Sequence, residues 1–169
     1  GRSHCNSCNR TLTARDLVPV LSWATSFGRC RTCRARVPVT YALAELALGC
    51  AFAGAYVHVG LVLALLPFLL GLVALAAIVL YDLRHMIVPT AFAVSFIAFA
   101  ALYFAMAWPG NAAAGFILIQ AGGIALLLFL FYALSGGRLM GLGDAPVAFG
   151  LSLLAGSTAV SGLILSFWI

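Results

Sequence analysis

The feature that most constrains the fold of this chain is the near absence of charge after residue 38. From there on, apolar runs of about 18 to 22 residues follow one another, and about 20 residues are needed for a helix to cross a bilayer. Over the whole chain 64% of the residues are hydrophobic and 8% are charged, whereas soluble domains average about 25% charged residues. The sequence therefore predicts an all-α polytopic membrane protein.

Turn signals divide the apolar region, residues 39–169, into about five to six predicted helices. The predicted ranges are 39–59, 61–81, 89–107 and 112–134, then a helix from about 145 that Gly156 divides from a final run. Residues 82–85 form a predicted polar connection, and 135–144 a glycine-rich loop. The final run has no cap, so we expect the last helix to be truncated and the chain to be a fragment.

Residues 1–38 form a predicted polar lobe that contains four of the five cysteines, in the pairs Cys5/Cys8 and Cys30/Cys33. Two residues between thiolates allow both sulfurs to face one tetrahedral ion, so two such pairs predict a structural four-cysteine zinc site. Two disulfides or a redox pair are the alternatives. Cys50 lies within the first predicted helix, where we expect it to pack as a small apolar residue.

Seven of the nine basic residues precede residue 37, and all nine are arginines. Basic residues accumulate on the cytoplasmic side of membrane proteins, so the lobe is predicted to be cytoplasmic. Counting crossings then puts Arg84 and Arg138 on that side too. Attraction to anionic lipid headgroups explains this charge more simply than nucleic-acid binding, and we expect no nucleic-acid partner.

The chain contains four acids, Asp16, Glu45, Asp82 and Asp144. Asp16 reads as a solvated or turn residue of the lobe. The other three lie in or beside the membrane, where an ionisable group is by default a functional hypothesis. Simpler roles remain open, namely an ion pair of Asp82 with Arg84, a helix cap by Asp144, and pairing of Glu45 with a lobe arginine.

Asp82 and Asp144 fall on the same predicted membrane face. Two close carboxylates share a proton, so one can activate water while the other polarises a scissile carbonyl, as in aspartyl proteases. Gly141 and Gly143 would allow close approach of a substrate backbone and positive φ values. Glu45 could help to hold the site or the substrate, and His85 could tune Asp82.

These residues carry a resemblance to the type 4 prepilin peptidase family, which shares a Gly-x-Gly-Asp motif with presenilin-like proteases. The matching features span nearly the whole chain: the paired CxxC knuckles, Tyr41 with Glu45, Asp82-Leu83-Arg84 with Val88-Pro89, and Gly141-Leu142-Gly143-Asp144.

The resemblance implies an aspartic endopeptidase in the bacterial inner membrane. It would cleave leader peptides of prepilins or pseudopilins at the cytoplasmic face, with Asp82 and Asp144 as catalytic residues. Many members also methylate the new N-terminus with S-adenosylmethionine. From the early position of the first cysteine pair we expect this chain to lack the family's usual first helix. Thr90 stands where members often have an acid, and Ala145-Pro146-Val147 follows Asp144 where members often have a lysine.

Three other kinds of protein fit less well. A transporter would carry ionisable residues near the middle of the membrane, whereas the acids here cluster at one face. A non-enzymatic scaffold would not need both aspartates on one side. A zinc metalloprotease is disfavoured because the sequence contains no His-Glu-x-x-His and its only metal-type cluster is closed.

Overall fold

The computed structural model describes residues 3–166. The chain divides into two compact units, Gly1–Ala53 and Gly54–Ile169. The first unit holds the cysteine lobe and most of the first long helix, and the second holds the remaining helices. The domain boundary at residue 38 remains a prediction.

The lobe consists of two small hairpins and short helical turns. Each hairpin has one isolated antiparallel bridge, His4 with Thr11 and Arg29 with Arg36. Between the hairpins lie a 3-10 turn, Ala14–Asp16, and the short helix α1, Leu21–Thr25. The long helix α2, Val39–Val59, follows Pro38 and ends before Gly60, as predicted from the sequence.

The second unit is a helical bundle with small residues at its contacts. Its elements are α3 (Leu65–His85), α4 (Thr90–Met106), α5 (Asn111–Ser135), α6 (Asp144–Ala155), a 3-10 turn (Gly156–Thr158) and α7 (Ala159–Ser166). Helix α4 packs against α3 and α6, and α5 packs against α6. Ala100, Ala121 and Leu153 form part of the buried core. Small side chains suit such contacts because they let helix backbones approach closely.

Helix α6 packs closely against α4 at Gly150. A Cβ at this position would lie 2.6 Å from Cε1 of Phe96, a ring with no exposed surface. Gly150 is therefore required for space, and the contact fixes α6, whose first residue is Asp144, against the neighbouring helix.

Four helical segments are long and apolar enough to cross a membrane: Val39–Val59, Leu65–His85, Asn111–Ser135 and Asp144–Leu165. The last joins α6 and α7 through the 3-10 turn, and α4 is shorter at 17 residues. Many large apolar side chains on these helices are exposed, as lipid-facing surfaces require. The all-α membrane fold with a four-cysteine lobe is therefore confirmed.

Two predicted boundaries were wrong. Helix α3 begins at Leu65 instead of 61, after a turn that starts at Gly60 with φ +79°. It also continues through His85, so the predicted polar connection at 82–85 is its last turn. Arg84 and His85 suit that position because cations are stabilised at a helix C-terminus. Met86, with φ 53°, then ends the helix.

Candidate functional site

The two cysteine pairs lie on hairpin turns with the same backbone geometry. In the first, the Cys5 amide donates to Arg10 (2.9 Å) and the Asn9 amide donates to Cys5 (2.9 Å). In the second, the Cys30 amide donates to Ala35 (2.8 Å) and the Arg34 amide donates to Cys30 (3.0 Å). The residue after each pair is left-handed, with φ 53° at Asn9 and 60° at Arg34. The lobe is therefore built from two equivalent knuckles.

The four thiols of the knuckles converge on one point. The Sγ atoms of Cys5, Cys8, Cys30 and Cys33 all lie within 4.8 Å of one another, and those of Cys5 and Cys33 are 3.8 Å apart. Zn–S bonds of about 2.3 Å in a tetrahedron separate sulfurs by about 3.8 Å. Four thiols at this spacing match the donor set and geometry of a structural zinc site.

Backbone amides prepare some of these thiols for ionisation. Amides of Cys33 and Thr32 lower the pKa of Cys30 to about 6, and amides of Cys8 and Ser7 lower the pKa of Cys5. At Cys33 an Ala35 amide acts to lower the pKa, but desolvation and the neighbouring thiols together raise it to about 11. Without a cation Cys5, Cys30 and Cys33 therefore differ in their tendency to ionise, whereas a bound metal takes thiolate ligands.

Asp16 lies in the 3-10 turn Ala14–Asp16, so the turn role expected from the sequence is confirmed, and its carboxylate also organises the lobe. Its Oδ2 accepts hydrogen bonds from the Thr13 amide (3.0 Å), the Thr13 hydroxyl (2.9 Å) and Arg10 (2.7 Å), and its Oδ1 lies 3.5 Å from Arg31. The side chain is 10% exposed. The Thr13 amide, with the hydroxyl and both arginines, lowers the pKa of Asp16. This carboxylate joins the segment after the first knuckle to an arginine of the second.

Glu45 binds a backbone amide of the lobe. Its Oε2 accepts a hydrogen bond of 2.8 Å from Val20, which has the unusual φ of 57° for a β-branched residue. Among the described residues, the carboxylate forms no ion pair with an arginine of the lobe and instead faces the turn before α1. Glu45 therefore holds the lobe against α2.

Asp82 lies in the last turn of α3 and is exposed. Its carbonyl accepts a hydrogen bond of 2.7 Å from Met86, which closes the helix. The neighbouring Tyr81 ring lies 4.3 Å from His85 and 6.2 Å from Phe92, measured between centroids. These ring contacts connect the end of α3 with the start of α4. His85 therefore stacks on Tyr81 beside Asp82.

Asp144 is the first residue of α6 and is half-buried. Its Oδ2 accepts a hydrogen bond of 2.9 Å from the Gly141 amide, and its own amide donates to the Gly141 carbonyl at 3.2 Å. The expected side-chain cap of α6 is not formed, since Gly143 precedes the helix without a side-chain capping bond. The carboxylate instead closes the glycine loop on itself.

Gly143 brings the two aspartate segments together. A Cβ at Gly143 would lie 2.6 Å from Cβ of Val88, in the link between α3 and α4 that follows Asp82. The glycine-rich loop adopts positive φ values as expected, but at Gly136 and Gly137 and not at Gly141 or Gly143. Gly143 has helical backbone angles and is required for space.

One further expectation can be compared with the structure, and two features were not expected. Cys50 is exposed on α2 instead of packed within the protein. The Val88 contact was not foreseen, and neither was the role of Asp16. The spacing of Thr13 and Asp16, which resembles a capping box, was the available signal for Asp16. No local pattern indicated the contact of Val88 with Gly143.

The comparisons with known proteins agree with these motifs. Residues 1–59 match the Bacterial Peptidase A24 N-terminal domain family. This match covers both knuckles and the whole of α2, including Glu45.

Individual relatives extend the similarity along the chain. A prepilin leader peptidase/N-methyltransferase of Aeromonas hydrophila is 30% identical, over 97% of this chain and 62% of the relative. One of Bacillus subtilis is 35% identical over 59% of this chain and 40% of its own length. A type 4 prepilin-like proteins leader peptide-processing enzyme of Escherichia coli is 47% identical over 30% of this chain and 19% of the relative.

The chain thus spans less than two thirds of these relatives. No solved structure matches significantly. The chain is similar to the prepilin leader peptidases, and its residues 1–59 match the model of the Bacterial Peptidase A24 N-terminal domain.

Proposed function

We propose that this relative of the prepilin leader peptidases is a membrane aspartyl endopeptidase that removes leader peptides from prepilins or pseudopilins. Asp82 and Asp144 are its catalytic residues. The observation that carries the proposal is the contact of Gly143 with Val88, which joins the loop of one aspartate to the segment that follows the other. The names of the relatives support the substrate class.

The reaction is hydrolysis by an activated water. The ionised carboxylate removes a proton from water as its oxygen attacks the scissile carbonyl, while the protonated carboxyl polarises the carbonyl oxygen. The tetrahedral intermediate then collapses, the C–N bond breaks and the leaving nitrogen takes a proton from the pair. Neither a metal nor a cofactor is required for this step.

The helix positions suggest which aspartate takes which role. Asp144 lies at the N-terminus of α6 and accepts the Gly141 N–H, and both features stabilise a carboxylate. Asp82 lies at the C-terminal end of α3, where the helix dipole opposes negative charge. We therefore assign the base to Asp144 and the acid to Asp82. Gly141 and Gly143 support the loop.

We further propose that the knuckles bind a structural zinc ion. Cys5, Cys8, Cys30 and Cys33 would hold it, and four thiolates leave no position open for a substrate or water. Its contribution is to fold the lobe of residues 1–38, which Asp16 and Glu45 also stabilise through their contacts. Residues 39–169 then form the peptidase domain.

The proposed location is the bacterial inner membrane, with the lobe and both aspartates on the cytoplasmic side. Seven arginines before residue 37 support this orientation through the positive-inside rule. An even number of crossings separates the lobe from Asp82 and from Asp144 if α2 to α5 each cross once. Cleavage would then occur where a precursor enters the membrane.

N-methylation of the newly exposed N-terminus is a second proposed activity, because the names of two relatives include it. The methyl donor implied by the resemblance is S-adenosylmethionine. Transfer of its labelled methyl group to the processed pilin would test this activity separately from cleavage.

The peptidase proposal is tested with membranes that contain this protein and a prepilin-type precursor. Asp82→Ala and Asp144→Ala should each abolish shortening of the precursor while leaving expression and insertion unchanged. Leu80→Ala and Leu139→Ala are matched controls, because both side chains are exposed and lie near the aspartates in sequence. Shortening that survives either aspartate substitution would remove that aspartate from the mechanism.

A further inference from the structure

One stretch of the lobe differs from the polar sequence around it. Residues 17–27, Leu-Val-Pro-Val-Leu-Ser-Trp-Ala-Thr-Ser-Phe, carry no charge. Leu17 is 53% exposed, Leu21 62% and Phe27 86%. A small polar lobe gains nothing from presenting several large apolar side chains to water, so such a surface indicates an interaction site.

The contact with Glu45 fixes the position of this stretch along α2, measured from the first residue of the helix. Glu45 is six residues beyond Val39, the first residue of the helix. At a rise of about 1.5 Å per residue, this is about 9 Å along the membrane-spanning helix. Val20 lies beside this level because its amide donates to Oε2 of Glu45 at 2.8 Å. Amphipathic segments at a membrane surface bury their apolar side about 5 to 10 Å into the boundary between headgroups and acyl chains.

The charges around the stretch complement an anionic surface. Arg15 and Arg29 flank it, and Arg31, Arg34 and Arg36 follow; all five are exposed. Asp16, the nearest acid in the sequence, is held in ion pairs with Arg10 and Arg31. Arginines beside an apolar surface are the pattern of segments that bind anionic membranes.

The stretch is also held in shape by the lobe. The Trp23 indole donates a hydrogen bond of 3.1 Å to the Val37 carbonyl. Gly28 lies so close to the Trp23 ring that a Cβ there would be 2.9 Å from Cζ2. Phe27, with φ 52°, precedes this contact and has its side chain exposed. The exposed ring is therefore presented by a fixed turn.

We propose that residues 17–27 form a membrane-inserted segment, in which Leu17, Leu21 and Phe27 enter the boundary between headgroups and acyl chains of the bilayer that surrounds α2. Arg15 and Arg29 contact lipid phosphates on either side. Glu45 satisfies the Val20 amide, which otherwise would lie without a partner near hydrocarbon, where a missing hydrogen bond is costly. The lobe is thereby held at the membrane surface.

The test is photo-crosslinking of the full chain in vesicles of phosphatidylethanolamine and phosphatidylglycerol. A benzophenone amino acid replaces Leu21 or Phe27. In the matched controls it replaces Asn6 or Thr32, two exposed residues of the knuckles. Adducts are identified by mass spectrometry with lipids that carry deuterated acyl chains. We expect adducts with lipid acyl chains when the crosslinker replaces Leu21 or Phe27. We expect none when it replaces Asn6 or Thr32.

A second arm tests the charges. In vesicles of phosphatidylcholine alone, or in the Arg15→Gln, Arg29→Gln double variant, the adduct yield at Phe27 should fall. Equal adduct yields at Phe27 in all these samples would overturn the proposed attraction of Arg15 and Arg29 to anionic lipids. Crosslinks from Leu21 and Phe27 to other helices of this chain or to a second copy, without lipid adducts, would overturn the insertion itself. Neither arm depends on peptidase activity, so both remain informative if the proposed function fails.

Discussion

Gly143 packs against Val88 so closely that any side chain at position 143 would collide with it: an added Cβ would lie 2.6 Å from Cβ, 3.0 Å from Cγ2 and 3.2 Å from Cγ1 of Val88. Gly143 immediately precedes Asp144, and Val88 follows Asp82 in the link to α4. The link that follows Asp82 and the loop that ends at Asp144 therefore meet at a glycine that is needed for its small size.

Gly143→Ala should disturb this contact and reduce leader-peptide cleavage. Overpacking costs about 1 to 3 kcal/mol, which corresponds to a loss of activity on the order of tenfold or more if the cost falls on the active arrangement. The measurement is the initial rate of precursor cleavage in membranes with matched protein levels.

Val88→Gly removes all three of the colliding atoms, so the Gly143→Ala, Val88→Gly double variant should regain part of the lost rate. Gly122→Ala is the control, because nothing lies within 4 Å of a Cβ there, and it should retain normal activity. Absence of any rescue, or an equal loss in the control, would contradict the role of the contact.

Zinc binding should depend on the knuckle cysteines and not on the fifth cysteine. Cys8→Ser removes one of four converging thiols, so the purified protein should lose its zinc, whereas Cys50→Ser should keep it because Cys50 is exposed on α2. Elemental analysis gives zinc per chain. Retention of a full equivalent by Cys8→Ser would contradict a four-thiolate site.

Asp16→Asn should loosen the lobe. The substitution weakens charge-assisted hydrogen bonds from Arg10 and Thr13, which are typically worth about 1.5 to 3 kcal/mol each when fully formed and less with partial exposure. The lobe contains most of the arginines, so faster trypsin cleavage there reports the loss. Asn6→Ala, at an exposed position, should leave the cleavage rate unchanged.

The effect of Asp16 should also vary with pH. Its folded-state pKa is lowered, so the stability it contributes is present above the unfolded pKa of about 4 and is lost as pH falls through the lower folded value. The difference in lobe stability between wild type and Asp16→Asn should therefore narrow under acidic conditions. A difference that stays constant through this range would contradict the ionised role of Asp16.

Glu45 should protect the Val20 amide. Glu45→Ala removes the acceptor at 2.8 Å, so hydrogen exchange at Val20 should become faster, while Glu45→Gln keeps an acceptor oxygen and should retain part of the protection. Exchange measured by mass spectrometry on peptides that begin before Val20 and include it distinguishes the two variants. Identical exchange in wild type and Glu45→Ala would contradict the contact.

Local sequence signals predicted the features that are determined by residues close together in the chain, such as helix ends and the cysteine knuckles. Pro38 and Gly60 flank an apolar run, and α2 has the bounds expected from them. The two CxxC spacings predicted the convergence of four thiols, because each knuckle is formed by its own turn. The end of α3 was misjudged because charged residues were read as a loop, although Arg84 and His85 suit a helix C-terminus.

Contacts between distant residues could not be read from the sequence. The pairing of Asp16 with Arg31 requires the second knuckle to be folded beside the first. The requirement for glycine at 143 comes from Val88, a residue on another segment with no periodic relation to it. Glu45 was recognised as unusual, but its partner is a backbone amide, which leaves no trace in the side-chain pattern.

The central claim is that Asp82 and Asp144 act as one catalytic pair. The most direct measurement is the cleavage rate of a prepilin-type precursor by wild type, Asp82→Asn, Asp144→Asn and the double variant, at equal levels of inserted protein. Each single substitution should reduce the rate on the order of 10²–10⁴-fold, and the double variant should be no slower, because residues that act as a unit are not additive. A rate loss in the double variant equal to the product of the two single losses would contradict the claim that the aspartates act as one pair. Full activity in either single variant would contradict it as well.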